Sequence, residues 1–266
     1  MSEDWLGLKD KVAIVTGGAS GIGLNIANEL KNQGVHVVIG DVNFTSNEQR
    51  NGFYQICCDV TKRESVQQLV EKTVQQFGTI DILVNNAGIN YPRLLVDDRG
   101  EKPQYELSEK DFDKMVSINQ KGTYLCSQEV AKVMIKNKKG TIINISSECG
   151  LEGSAGQSCY AGTKAAIMAY TRSWAKELGK FGIRVVAVAP GIVEATGLRT
   201  PAYNEALAYT RGTTVDKLNT DYSKSIPLGR EAKLKEIADL VVFLASERAS
   251  YITGTTYNIS GGKSRG

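Results

Sequence analysis

The run Lys11 to Thr16 (KVAIVT) passes directly into Gly17-Gly18-Ala19-Ser20-Gly21-Ile22-Gly23, after which Ile22, Ile26 and Leu30 recur every four residues. A short β-branched run ending in glycines suits a buried parallel strand, and the spacing that follows suits a helix. A parallel strand reaches its neighbour only through a crossover. This one segment therefore commits the start of the chain to β-α-β winding. The rhythm continues: Val35–Gly40, Ile80–Val84, Thr141–Ile145, Ile183–Ala189 and Thr255–Ile259 read as strands. Arg63–Phe77, Asp111–Ile135, Ser158–Leu178 and Lys233–Ala245 read as helices. About six β-α repeats predict a single doubly wound α/β domain over 1–266, a parallel sheet with helices on both faces. Two segments, about 90–110 and 194–227, break the rhythm. Both leave the carboxyl ends of strands, where such sheets bind ligands.

The glycine turn carries chemistry of its own. Gly17, Gly21 and Gly23 make the turn tight and let a diphosphate approach the backbone, while Ser20 and Ile22 stand where the helix starts. That start offers unpaired N–H groups and the positive end of the helix dipole. The second strand ends at Asp41, roughly 20 residues on, where an acid meets the adenosine ribose hydroxyls of a dinucleotide in a Rossmann-type fold. A carboxylate there repels the additional phosphate of NADP, and no Lys or Arg follows it directly. The expected cofactor is NAD.

Composition excludes other classes. Lys and Arg number 32 against 29 acids, a net charge of +3 that gives nucleic acid no footprint. No stretch is apolar enough to span a bilayer, and the acidic, polar N-terminus is not a targeting peptide. The five cysteines (Cys57, Cys58, Cys126, Cys149, Cys159) lack Cys-x-x-Cys spacing, so no metal is expected, and they read as free thiols in a reducing cytoplasm. The single histidine, His36, is expected to pack within an apolar strand. Acid/base chemistry must then fall to another residue type.

Six motifs in order resemble those of the short-chain dehydrogenase/reductase family. They are the turn Thr16–Gly23, Asp59-Val60, Asn85-Asn86-Ala87-Gly88, Asn119, Ser147 with Tyr160-x-x-x-Lys164, and Pro190-Gly191. The resemblance runs from Leu8 to Gly262. It implies that Asp59 and Val60 contact the adenine ring and that Asn86, Ala87 and Gly88 line the cofactor site. Pro190, Gly191 and Val193 would close over the nicotinamide. The implied catalytic tetrad is Asn119, Ser147, Tyr160 and Lys164, with homotetramers formed through the long helices. One departure exists: the family often places Thr five residues after the loop proline, where Ala195 stands here and Thr196 follows.

Tyr160 and Lys164, four apart on a helix, share a face. The ammonium, helped by the positive charge of the oxidised cofactor, is expected to favour the phenolate, so that Tyr160 exchanges a proton with substrate near neutral pH. Ser147 would hold the reacting oxygen, and Asn119 a water leading to Lys164. The polar residues Glu148, Glu152, Ser154 and Gln157 surround these positions and suit several hydroxyl groups. Arg93, Arg199, Arg211, Lys263 and Arg265 occur in loops that could face the site, with Arg93 and Arg199 the expected phosphate forks. Stretches such as Ser147–Ser154 and Gly261–Gly266 resemble those of the bacterial family members that act on sorbitol 6-phosphate. That implies interconversion with fructose 6-phosphate. An unphosphorylated polyol or sugar, or an NAD-binding protein without catalysis, remain the other readings.

Overall fold

The computed structural model describes residues 4–218 and 221–264. Arg265 and Gly266 thus lie outside the described residues. β1 (Val12–Thr16) is buried along its whole length, as an apolar strand in mid-sheet must be. It leads through the glycine turn into α1 (Gly21–Asn32), and then to β2 (His36–Asp41), β3 (Glu48–Arg50), β4 (Phe53–Cys57) and α2 (Arg63–Phe77). β5 (Ile82–Asn85), α3 (Glu109–Met115), α4 (Thr123–Asn137), β6 (Gly140–Ile145), α5 (Cys149–Glu152) and α6 (Ser158–Leu178) come next. β7 (Ile183–Pro190), α7 (Pro201–Thr210), α8 (Leu234–Ala245) and β8 (Thr256–Ile259) complete the chain.

The strands form one sheet in the order β3-β4-β2-β1-β5-β6-β7-β8, parallel throughout except at the β3 edge. Alternate side chains point to opposite faces, so each strand feeds two cores. Ala13 and Val15 pack with Ile26 and Leu30 of α1 and Ile237 and Val241 of α8. Ile14 packs on the other face with Leu69 of α2 and with Leu125 and Val130 of α4. The chain reverses winding direction between β1 and β5, and the crevice at their carboxyl ends is the switch point at which such sheets bind ligands.

The structure departs from the sequence expectations in three places. The β3–β4 hairpin was not anticipated. Its turn, Asn51-Gly52, has φ of 54° and 79°, as a tight two-residue hairpin requires. His36 is not packed: it opens β2 with its side chain 51% exposed and stacks on Phe77, ring centroids 5.4 Å apart. A strand's first residue lies outside the layer that the helices cover. The expected helix Asp111–Ile135 is α3 and α4 joined by a π-helical turn, Val116–Gly122, and Asn119 sits in that turn.

Across the carboxyl ends of β5 and β6 runs a buried polar ladder. Asn85 Nδ2 donates to Asn144 Oδ1 (2.8 Å), and Asn144 Nδ2 donates to Thr171 Oγ1 (2.9 Å), tying the sheet to α6. Thr171→Val keeps the shape and strands one buried N–H. We expect it to lower unfolding stability by about 1–3 kcal/mol, read from the denaturant midpoint.

Candidate active site

A cleft of about 960 Å³ opens over the switch point. One end is built by the glycine turn. Gly17 has φ of 64°, and a Cβ on it would come within 2.8 Å of Ala87 Cα. A Cβ on Gly23 would collide with Asn86 Nδ2 and the Gly17 carbonyl. Asn86 holds this arrangement by donating to the carbonyls of Thr16 (3.0 Å) and Gly17 (2.9 Å). The backbone cradle is thus of the kind that a side chain would fill and a diphosphate can occupy, and Ser20, Gly21 and Ile22 line it at the start of α1. Asp41 lies beside it and is 7% exposed. Its Oδ2 accepts from Ala19 N (3.0 Å), and its Oδ1 from Asn43 N (3.0 Å) and Nδ2 (2.9 Å). Asp59 and Val60 continue this wall, which is lined by carboxylates and by no Lys or Arg among the described residues. Thr196, rather than the exposed Ala195, stands over the turn, about 3.4 Å from where a Gly21 Cβ would be.

The cleft floor brings Ser147, Tyr160 and Lys164 together. Ser147 follows β6, and Tyr160 and Lys164 share one face of α6. The Ser147 hydroxyl stands close enough to the Tyr160 phenol to lower its pKa. Lys164 is 4% exposed, donates to the Ile145 carbonyl at 2.8 Å, and has its Nζ 5.7 Å from the Tyr160 ring centroid. Burial pushes the phenol pKa well above its ordinary value, against the smaller lowering by Ser147. The same burial pulls Lys164 down to about 8. Desolvation penalises each charged form, so the protein alone holds Tyr160 as a neutral acid.

Asn119 is fully buried behind this floor. Its Oδ1 accepts from Ile89 N (2.9 Å), and its Nδ2 donates to Ile89 O (2.9 Å) and Thr163 Oγ1 (3.0 Å). Its amide therefore clamps the loop after Gly88 onto α6, and its main-chain carbonyl accepts from Thr123 Oγ1 (2.8 Å). A π-helical turn re-aims a side chain relative to its helical neighbours and is frequent at functional sites. The loop Pro190-Gly191-Ile192-Val193 forms the opposite wall. Glu148, 6% exposed, donates its N–H to the Pro190 carbonyl (3.0 Å) and pairs with Lys263 at 2.5 Å.

The two segments expected to shape the pocket close over this floor together. Tyr209 of α7 donates to Asp97 at 2.8 Å, Arg99 donates to the Tyr209 carbonyl at 2.5 Å, and the rings of Tyr105 and Tyr209 lie 5.3 Å apart. Gly156, with φ of 73°, allows the Thr210 side chain to approach its backbone.

Of the basic candidates, Arg199, Arg211 and Lys263 line the cleft and Arg93 does not. Arg93 is bound to Asp111 at 2.7 Å and to the Pro92 carbonyl at 2.8 Å, which uses its fork for the loop's own structure. Glu152, at the end of α5, is also absent from the lining. Asn90 and Tyr203 line the cleft without having been anticipated. Thr200-Pro201 was a legible helix start, with Thr200 Oγ1 accepting from Tyr203 N at 3.1 Å. The face that α7 turns to the cleft was not legible.

The family model described as Enoyl-(Acyl carrier protein) reductase matches residues 17–264. The sorbitol-6-phosphate 2-dehydrogenase of Klebsiella pneumoniae is 57% identical over 264 residues, covering 98% of this chain and 99% of its own. The 3-oxoacyl-(acyl-carrier-protein) reductase of Thermotoga maritima is 37% identical, covering 96% and 98%. Among solved structures, a 3-ketoacyl-(acyl-carrier-protein) reductase from Brucella melitensis complexed with NADH superposes with a TM-score of 0.81 at 29% identity, covering 97% of this chain and 100% of that one. The ligand-free aldohexose dehydrogenase of Thermoplasma acidophilum gives 0.81 at 29% identity, covering 96% and 94%. With this fold, this order of motifs and these relatives, the chain belongs to the short-chain dehydrogenase/reductase family and is an oxidoreductase.

Proposed function

We propose that this enzyme interconverts D-sorbitol 6-phosphate and D-fructose 6-phosphate with NAD as the hydride carrier. The observation that carries this reading is a basic group left free in the cleft. Arg199 stands 4.0 Å from Glu231, whereas Arg211 pairs with no carboxylate among the described residues. A free guanidinium beside the catalytic floor suits a phosphate dianion. The sorbitol-6-phosphate 2-dehydrogenase of Klebsiella supports the same substrate. Arg199 and Arg211 take the place of the expected pair Arg93 and Arg199. A homotetramer formed through α4 and α6 belongs to the same reading, and the exposed Tyr124 and Phe112 lie on that side. So does a place in the cytoplasm: all five cysteines are free, and no described helix is long and apolar enough to cross a membrane.

Bound in the cleft, the dinucleotide supplies the hydride. Gly17, Ser20, Gly21, Ile22 and Gly23 would hold its diphosphate, and Asp41 its adenosine ribose. Asp59, Val60, Asn86, Ala87 and Gly88 would line the adenosine half, with Pro190, Gly191 and Val193 over the nicotinamide. In the reducing direction Tyr160, kept protonated by burial, gives its proton to the C2 oxygen. Ser147 hydrogen-bonds the same oxygen as charge develops on it. Lys164, with a pKa of about 8, can return a proton to Tyr160 near neutral pH.

Four outcomes test this reading. Wild-type protein should oxidise NADH with fructose 6-phosphate and far more slowly with free fructose. Tyr160→Phe should retain NADH binding in a fluorescence titration and lose turnover by about 100-fold or more, the ordinary scale of acid/base catalysis; normal turnover would remove Tyr160 from its role. Arg211→Ala should raise the KM for fructose 6-phosphate about tenfold or more, as loss of a charge-assisted contact does. An unchanged KM would take the phosphate elsewhere. Asp41→Ala should narrow the preference for NADH over NADPH in paired rate assays, since it removes the carboxylate that faces the 2′-phosphate position. Wild-type preference for NADPH would overturn the cofactor assignment.

A further inference from the structure

Tyr203 enters the cleft from α7 and takes no part in the chemistry described above. Its hydroxyl accepts from Asn90 Nδ2 and from Gln157 Nε2, each at 3.2 Å. Gln157 is 5% exposed, and its Oε1 accepts from the Cys149 thiol at 3.4 Å. With its oxygen engaged there, the Gln157 amide turns its N–H groups toward Tyr203. Burial raises the pKa of both Cys149 and Tyr203 above the ordinary values, so each keeps its proton at neutral pH.

A phenol oxygen that accepts two N–H bonds has used its acceptor capacity, and its single O–H remains to donate. Beside it, Asn90 Oδ1 is buried in the cleft wall with no partner among the described residues. The Asn90 amide serves to orient the phenol, and the free donor is the Tyr203 O–H. A substrate hydroxyl can accept from it. A methylene cannot and leaves it desolvated and unpaired, which is how sites built to bind a hydroxyl reject the analogue that lacks it. Tyr203 is close enough to Tyr160 to raise its pKa. Tyr160 marks the reacting oxygen, so the hydroxyl in question belongs near the reacting carbon.

We propose that Tyr203, with Asn90, is a specificity-determining residue that binds a substrate hydroxyl on a carbon bonded to the reacting one. It is delivered by α7, and so it is in place only when α7 is docked through Asp97, Arg99 and Tyr209. The pair favours polyhydroxylated substrates over acyl chains on a floor that both kinds of family member share. The inference rests on the polyol-phosphate reading for its choice of probe.

The test compares wild type with Tyr203→Phe, which keeps the ring, on fructose 6-phosphate and on its 1-deoxy and 3-deoxy analogues. The expected result is a loss of about tenfold in kcat/KM on fructose 6-phosphate, the scale of one or two neutral hydrogen bonds. NADH affinity should stay unchanged, while Tm falls because the Asn90 and Gln157 amides lose their acceptor. On one of the two deoxy analogues the wild type and the variant should become equal, which a merely structural role for the hydroxyl would not produce. Equal kcat/KM on fructose 6-phosphate, or the same penalty on both analogues, overturns the proposal. Failure of wild type to turn over fructose 6-phosphate overturns the substrate reading instead. The comparison then moves to the polyol or sugar that wild type does convert: a loss there sustains the role of Tyr203 and equality refutes it.

Discussion

One side-chain amide holds the switch point together. Asn86, leaving β5, donates to the last carbonyl of β1 and to the first carbonyl of the glycine turn. β5 and the β1–turn segment belong to opposite halves of the winding, and their contact is so close that Gly17 and Gly23 have no room for a Cβ. Thr16 Oγ1 completes the tie by accepting from the backbone N–H groups of Asn86 and Ala87, at 3.1 and 3.2 Å. With the crevice fixed in this way, the helix start, the adenosine wall and the catalytic floor acquire set positions around one cleft. A buried polar network of this kind is stabilising only when its donors are satisfied, which ties the geometry of the site to the integrity of the sheet.

The catalytic pair is governed by a single cause acting in opposite directions. Burial disfavours the charged form of both groups, raising the phenol and lowering the ammonium. The two pKa values move apart, so a proton passes downhill from the Lys164 ammonium to a Tyr160 phenolate. Lys164 also uses a hydrogen bond to the Ile145 carbonyl, so its position depends on the end of β6 rather than on Tyr160. Asn119 completes the support from the π-helical turn by pinning the loop after Gly88 against α6. The floor is therefore rigid, and the adaptable part of the site is its cover, in which α7 and the 90–110 segment clasp one another through Tyr209.

Much of this was legible in the residues alone. β-branched runs broken by glycines and helical repeats specify alternating strands and helices, since periodicities of 2 and 3.6 are local properties. Alternation requires a parallel sheet, because no short connection joins parallel strands. The glycine turn, Asp41, and the Ser147, Tyr160 and Lys164 set were visible for the same reason: each sits at a strand end or on one helix face, and local geometry states which way it points. The β3–β4 hairpin carried its Asn51-Gly52 signal, yet its strands are short and polar at the edge and show no core pattern.

The cover of the site was decided in three dimensions. Arg93 and Arg211 are equally basic loop residues in the sequence. One lies beside Asp111, 18 positions away, and is spent there, while the other faces the cleft without a carboxylate. His36 reads as apolar-strand packing, but as the first residue of β2 it stays half in solvent against Phe77. Tyr203 meets Asn90 across 113 positions and Gln157 across 46. What the sequence by itself determined is the winding, the glycine turn and the placing of Ser147, Tyr160 and Lys164 at one strand end and on one helix face, all specified by contacts within one or two elements. Which charges are free, and that the Tyr203 hydroxyl joins the site, depends on pairings between distant loops that only the packed chain makes.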